Sequence, residues 1–425
     1  MKKCFQKMRR AMPLGLCLTA SLSLCAYGRA QQFVLKDGET VVFYGDSITA
    51  QRRYTRFVED FVLTRYPGLR IRFFNAGVPG DKVDGGYAGK MPQRVQRDVE
   101  PFHPGMIAIM LGMNDGWYGD ESPEVDAAFL KGYRELLDTL RKAAPSAALT
   151  LIQPSPYDEI THGTEFPHYS RVIADLSRDV ARIAAEENAA GRSVLLADGH
   201  APLDGALQKA VEQSPELAQL IIPDRIHPQD TGHWIIAAEL MKAWHVDPVV
   251  SSVTLNATSL QVTDSHRTAA AQIEKTATGL RWTQTDEALP LPLDFNNAMT
   301  LLLPQISDIA SLDQQTLRVE NLVPGTYQLL IGDKSIAAFS DNELKAGVNL
   351  ALYKTPMNAQ ARDIDSMEQD RMQLDQARFI LSANLKEDAA SVQAENKLRQ
   401  AQDELDAQMR TKLAPTAHRF ELRRQ

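Results

Sequence analysis

The sequence predicts an α/β protein: a three-layer α/β/α sandwich around a parallel sheet, followed by a β-rich region that carries a long helical hairpin. Three observations lead there. Short apolar strands alternate with amphipathic helices from residue 33 to about 248, the pattern of a doubly wound sheet. Residues 106–111 (Met-Ile-Ala-Ile-Met-Leu) are apolar without alternation, as in a parallel strand covered on both faces. After Pro248 the texture changes to short β-like runs and then to a Gln-, Glu- and Ala-rich stretch without Pro or Gly.

Taken in order, 41–44 reads as a buried strand, and 54–66 as a helix with Phe57, Val58, Phe61 and Val62 on one side. Strands follow at 71–75 and 106–111, a helix at 127–144, a strand at 148–153, a helix at 169–190, a strand at 194–197 and a last helix at 231–244. In such sheets ligands bind at the carboxyl ends of the strands. Beyond Pro248, strands are expected at 249–255, 260–262, 279–283, 316–319, 325–331 and 334–339, the last two joined by a Gly332-Asp333 turn. Residues 357–413 should form two long helices broken near 382–388, and 418–422 a final strand.

The first thirty residues stand apart. Lys2, Lys3, Lys7, Arg9 and Arg10 precede an apolar run, and Gly28 and Ala30 sit three and one positions before a cleavage point ahead of Gln31. That is the layout of a secretory signal, with an apolar run too short for a good membrane span. The organisation expected is therefore a signal peptide at 1–30, a catalytic domain at 31–248 and an accessory region at 249–425, with the product exported to the periplasm or the extracellular space. Cys4, Cys17 and Cys25 all lie in the signal, so disulfides cannot staple the processed chain.

Composition limits the functions. With 44% hydrophobic and 24% charged residues the chain can build a sizeable core. Cleavage would leave 40 basic against 54 acidic residues, a net −14. Such a chain repels phosphate backbones and anionic lipid surfaces. Neither a nucleic-acid partner nor stable membrane insertion after cleavage is expected.

Four short motifs occur at predicted strand ends. Gly45-Asp46-Ser47-Ile48 places a serine at a strand-to-helix turn, which is equally the position of a helix N-cap. In Asn75-Ala-Gly-Val-Pro-Gly80-Asp81, Gly80 would bring a backbone N–H close to a bound group, or would simply make a turn. Gly112-Met113-Asn114-Asp115 offers a side-chain amide as a neutral donor to a developing oxyanion, or an Asx turn. In Asp224-Arg225-Ile226-His227-Pro228, a carboxylate three residues from an imidazole can orient it as a general base. Alone, that pair is also half a metal site, but the missing cysteines and His-x₃-His spacing argue against a metal, and no cofactor is expected.

In content and order the four motifs resemble the blocks of the SGNH (GDSL-like) hydrolases, over roughly residues 41–244. That resemblance implies a flavodoxin-like fold and a carboxylic ester hydrolase working through an acyl-enzyme. Ser47 would be the nucleophile and Asp224 and His227 the rest of the triad, with the Ser47 N–H, the Gly80 N–H and Asn114 as the oxyanion hole. Gln51-Arg-Arg-Tyr-Thr, Arg65-Tyr-Pro, Gln96-Arg-Asp98 and Trp282-Thr-Gln-Thr-Asp-Glu-Ala-Leu-Pro-Leu-Pro look like a secreted bacterial subgroup with a C-terminal extension.

Asp46 and Asp115 are expected to hold loops. Asp81, Trp117 and Tyr118 are candidates for substrate binding, with Tyr87 in the same aromatic cluster and Asp158 at the mouth. The preferred substrate is a small-acyl, acetyl ester of a carbohydrate. Alternatives are a lipase- or lysophospholipase-like activity, acyl transfer to another alcohol, and a non-catalytic glycan-binding protein. A homo-oligomer built through the C-terminal region is the expected partnership.

Overall fold

The computed structural model describes residues 32–163, 165–384 and 389–425, without the side chains of 379 and 382–384. The signal expected at 1–30, with its three cysteines, and most of the expected helix break at 382–388 lie outside the described residues.

A five-stranded parallel sheet organises the first part. Strand β1 (Thr40–Gly45) leads to helix α1 (Arg53–Arg65), β2 (Arg72–Gly77), α2 (Met91–Asp98) and β3 (Met106–Met110). Then come α3 (Pro123–Ala143), β4 (Ala148–Ile152), α4 (Tyr169–Ala189), β5 (Val194–Ala197), α5 (Ala201–Gln213) and α6 (Asp230–Ala243). The strand order is β2-β1-β3-β4-β5, the flavodoxin-like arrangement that reverses direction beside β1. β1 pairs with β2 and β3, Val42 against Phe74 and Ile107. Every residue of β1 and β3 is buried, which explains their unbroken apolar sequences.

Local signals set the helices. α3 starts where the Ser122 hydroxyl accepts the Val125 N–H, with Pro123 in its first turn, Glu124 and Asp126 at the positive end and Arg141 and Lys142 at the negative end. Its buried face is Phe129, Tyr133, Leu136, Leu137 and Leu140. α6 is buried nearly all round and stacks Trp234 on Phe57 of α1 with centroids 3.9 Å apart.

The second part contains two more sheets. Its elements are β6 (Val249–Asn256), β7 (Gln261–His266), β8 (Thr268–Lys275), β9 (Gly279–Asp286), α7 (Ala298–Ile306), β10 (Gln314–Glu320), β11 (Thr326–Ile331) and β12 (Lys334–Ser340). They continue with α8 (Asp341–Ala346), β13 (Val348–Asn349), α9 (Pro356–Asn384), α10 (Ala389–Lys412) and β14 (Ala417–Arg424). One sheet has the order β8-β9-β14-β11-β12 and the other β13-β10-β6-β7. The C-terminal strand thus inserts between β9 and β11. β10 and β6 run parallel while their outer neighbours are antiparallel. α9 and α10 form an antiparallel hairpin, with Lys412 on Asp363 at one end and Arg378 on Gln402 toward the other.

The Trp282 motif acquires a physical meaning here. Residues of β9 alternate in and out, so Trp282, Gln284 and Asp286 all point inward. The indole N–H donates to Gln284 Oε1 (3.1 Å) and the Gln284 amide to Asp286 Oδ1 (2.9 Å). The leucines that follow cross between cores: Leu289 packs in the second, Leu291 and Leu293 in the first. Leu302, Leu303, Ile306, Ile309 and Leu312 also belong to the first core, so that core does not end at residue 248. A buried ion pair, Arg65 with Asp313 at 2.8 Å, ties the same junction. Residues 33–425 form one compact unit.

Helices α2, α5 and α7 and strand β8 have no counterpart in the sequence expectations. β8 is mostly exposed and lacks apolar alternation, and α7 carries Pro304 inside it. Helix α8 and strand β13 lie between β12 and α9. Among the described residues, no helix is long and apolar enough to cross a membrane.

Candidate active site

Ser47 sits on a one-turn helix, Ser47–Ala50, just past the end of β1. The turn is closed by Asp46, whose Oδ1 accepts the Ile48 N–H at 2.9 Å. A side chain at residue 45 would collide with Thr49 and lie 2.6 Å from the Met110 carbonyl, so only glycine lets the serine turn close on β3. Burial, before any other influence, lifts the Asp46 carboxyl to about 7.

The loop at 223–228 brings up the base. Asp224 Oδ1 accepts the backbone N–H groups of Ile226 (3.0 Å) and His227 (2.7 Å), and Oδ2 accepts His227 Nδ1–H at 2.7 Å. With Nδ1 protonated, Nε2 accepts the Ser47 hydroxyl at 2.8 Å, across 180 residues of chain. Arg225 adopts a left-handed φ of 71°, held by its carbonyl on Asp158 N (2.9 Å) and its guanidinium on the Gly163 carbonyl (2.6 Å). Desolvation pushes the Asp224 carboxyl up, yet the three hydrogen bonds together outweigh it and leave its pKa below the ordinary value. The side chains are 54% exposed at Asp224 and 28% at His227, so both reach solvent.

His233 supports this geometry from below. It is buried in α6, with Nε2–H on Gln51 Oε1 at 2.8 Å and Nδ1 accepting from Tyr54 N at 3.3 Å. Burial first, then the charge of Arg53, depresses it to about 3, so it is neutral and structural.

The remaining motif residues, Gly80 and Asn114, are joined through Asp81. Gly80 is exposed with φ of 74°, a conformation that favours glycine. Asn114 Nδ2 donates to the Asp81 carbonyl (3.0 Å) and its Oδ1 accepts the Tyr118 hydroxyl (3.1 Å). These contacts define the amide orientation and leave Nδ2 a second hydrogen.

One expectation for substrate contact is corrected, while Tyr118, half-buried, is tied to Asn114. Asp81 is fully buried and paired with the equally buried guanidinium of Arg94, so it cannot touch a substrate. Arg94 also donates to the Ala76 carbonyl and to Asp98 (3.1 Å), and it lies over the Tyr44 ring. Tyr118 directs its hydroxyl to Asn114 and packs on Phe166 and Tyr169. Both residues position Asn114. Asp158, expected at the mouth, is buried and caps the turn at 160–161. Asp115 accepts the Val83 N–H at 3.0 Å, in the loop-holding role expected of it. Trp117 is 71% exposed and Tyr87 78% exposed. Trp117 and Tyr118 share a left-handed φ of 55°, a conformation that costs non-glycine residues roughly 1–2 kcal/mol each. Arg94 escaped the sequence reading because it lies in no motif, and His233 shows no partner pattern in the sequence because its partners, Gln51 and Tyr54, are about 180 residues away.

Among the described residues no group of three or more His, Cys, Asp or Glu is placed to hold a metal ion. A hydroxyl, an imidazole and a carboxylate in line, at the carboxyl end of a parallel sheet, are the groups of a carboxylic ester hydrolase of the serine type. Residues 43–235 match the GDSL-like lipase/acylhydrolase family.

An acetylxylan esterase of Geobacillus stearothermophilus is 26% identical over 222 residues, 48% of this chain and 93% of that protein. Among solved structures, a gut microbial diltiazem-metabolizing enzyme superposes with a TM-score of 0.77 at 23% identity, over 92% of this chain and 98% of its own. The fold is therefore shared through both parts of the chain. A crystal structure of an acetylxylan esterase from Geobacillus stearothermophilus covers 51% of this chain and 98% of its own, at 26% identity and a TM-score of 0.39.

Proposed function

We propose that the chain is an exported esterase that removes acetyl groups from carbohydrates through an acyl-enzyme on Ser47. The observation that carries the mechanism is the continuous relay Ser47–His227–Asp224, with links of 2.8 and 2.7 Å. Ser47 Oγ attacks the ester carbonyl as its proton passes to His227 Nε2. The oxyanion is received by the Gly80 and Ser47 N–H groups and the second Nδ2 hydrogen of Asn114, an arrangement in which one donor is worth ~10²–10³ in turnover. The imidazolium, stabilised by Asp224, then protonates the leaving alcohol. Water attacks the acyl-enzyme with His227 again as base, and the acid departs.

The acetyl-carbohydrate substrate is supported by the likeness to an acetylxylan esterase. Export is supported by the basic, apolar and small-residue layout of residues 1–30, and N-terminal sequencing of the released protein tests it. Turnover of p-nitrophenyl acetate and of acetylated xylan should be abolished by Ser47→Ala. Undiminished turnover in that variant would end this reading.

A further inference from the structure

We infer that Tyr87 and Trp117 form an aromatic clamp beside the oxyanion donors that receives the alcohol half of the ester as a ring, of which a pyranose is the chemical type. The inference rests on the esterase reading of the site and deepens it by assigning the leaving group a place.

The tryptophans show the contrast. Trp234, Trp244 and Trp282 are 5% exposed or less, while Trp117 is 71% exposed. Tyr87 is more open still, at 78%. Large aromatic side chains gain much by burial, so two left open at one rim call for an occupant. Both border the donors. Ring carbons of Tyr87 lie 3.8 Å from the point where a Cβ on Gly80 would stand. Trp117 follows Asn114 by three residues, and its N–H donates to the Asn114 carbonyl at 3.3 Å.

The indole is also held in its outward position. Lys82 Nζ stands 3.5 Å from its ring centroid, a cation–π contact that covers one face and leaves the other to solvent. The adjacent left-handed residues 117 and 118 hold the turn, and Tyr118 anchors it through Asn114. Left-handed backbone in non-glycine residues persists where the surrounding structure enforces it, often at ligand sites.

The character of the rim selects the class of occupant. Two separate rings are interleaved with the charges of Lys82 and Asp84, themselves 3.7 Å apart. An acyl tail would require a continuous apolar surface. A pyranose presents C–H faces for the rings and hydroxyl edges for the charges.

The test combines kinetics with fluorescence. On acetylated xylo-oligosaccharides, Trp117→Ala and Tyr87→Ala should each lower kcat/KM about tenfold, mainly through KM, the scale of one lost aromatic contact. Their turnover of ethyl acetate, which has no ring, should fall far less than that of the sugar ester, and Trp117→Tyr should recover most of the loss. In Ser47→Ala, the same oligosaccharides should alter tryptophan emission, and Trp117→Phe in that background should abolish the change. Equal losses on both esters would make the rings merely structural and overturn the clamp. So would no loss on the sugar ester, or an emission change that survives Trp117→Phe. Failure of the underlying esterase reading shows separately, as ethyl acetate hydrolysis that persists in Ser47→Ala.

Discussion

Replacing Arg94 by Met should unsettle the protein in a way that depends on pH. Arg94 and Asp81 are both fully buried, and Asp81 Oδ2 relies on the guanidinium while Oδ1 accepts from no described residue. Asp98 keeps Arg97, with contacts of 2.6 and 2.7 Å, so only Asp81 is orphaned. Breaking one partner out of a buried pair costs ~3–5 kcal/mol. For the compact unit 33–425 the unfolding entropy is roughly 0.8 kcal/mol per degree, so Tm should drop by about 4–6 °C.

Burial already lifts the Asp81 carboxyl above its ordinary value, against the pull of Arg94; without Arg94 it rises further. A carboxyl raised in the folded state favours folding at low pH and forfeits that benefit as pH climbs from about 4 through the folded value. The deficit of Arg94→Met should therefore be small at pH 5 and full at pH 8. Differential scanning fluorimetry at both pH values reads it. Arg94→Lys should restore part of the loss, since it keeps the charge but not the fork. Turnover should fall as well, by no more than the ~10²–10³ of one oxyanion donor, because Asp81 positions Asn114. A loss equal at both pH values, or below about 1 °C at pH 8, would refute the assignment of Arg94 as the counter-charge.

Two further outcomes follow from the same geometry. Asp224→Asn should lower kcat by ~10⁴ through the wrong imidazole tautomer while Tm hardly moves, because the side chain is half exposed; a steady-state assay beside a melting curve checks this, and a modest loss would count against the relay. Asp60, buried in α1, has no hydrogen-bond donor on either oxygen among the described residues; Arg56 Nε stands 4.0 Å from Oδ2, but burial and then Asp365 of α9 outweigh it and raise the carboxyl well above the ordinary value. Asp60→Asn should thus stabilise the protein at pH 8 by on the order of 1–3 kcal/mol and much less near pH 4, where the wild-type carboxyl is already protonated. Urea unfolding at the two pH values decides it, and equal gains would remove burial of charge as the cause.

Much of this architecture was legible beforehand where local chemistry is strong. Strands β1 and β3, with all residues buried, announce themselves as unbroken apolar runs, whereas the first turn of α3 and its Ser122 cap lie before the start expected at 127. Strand β8 was not legible, since an exposed edge needs no apolar alternation. Asp81 was misread for a related reason. A carboxylate beside a site glycine resembles a ligand contact until the guanidinium of Arg94, thirteen residues on and outside any motif, is seen to occupy it.

Residue types and spacing alone determined the chemistry available: a hydroxyl at a strand end, a carboxylate three residues before an imidazole, an amide after a buried strand. Those are short-range facts, written wherever a turn or a strand end constrains its own few residues. Tertiary structure alone decided which groups meet, because sheet order and helix packing set distances between segments that lie, for Arg65 and Asp313, 248 residues apart. It also decided which charges are buried and which rings stay open. Burial is a property of what lies opposite, and no stretch of chain contains its own opposite side.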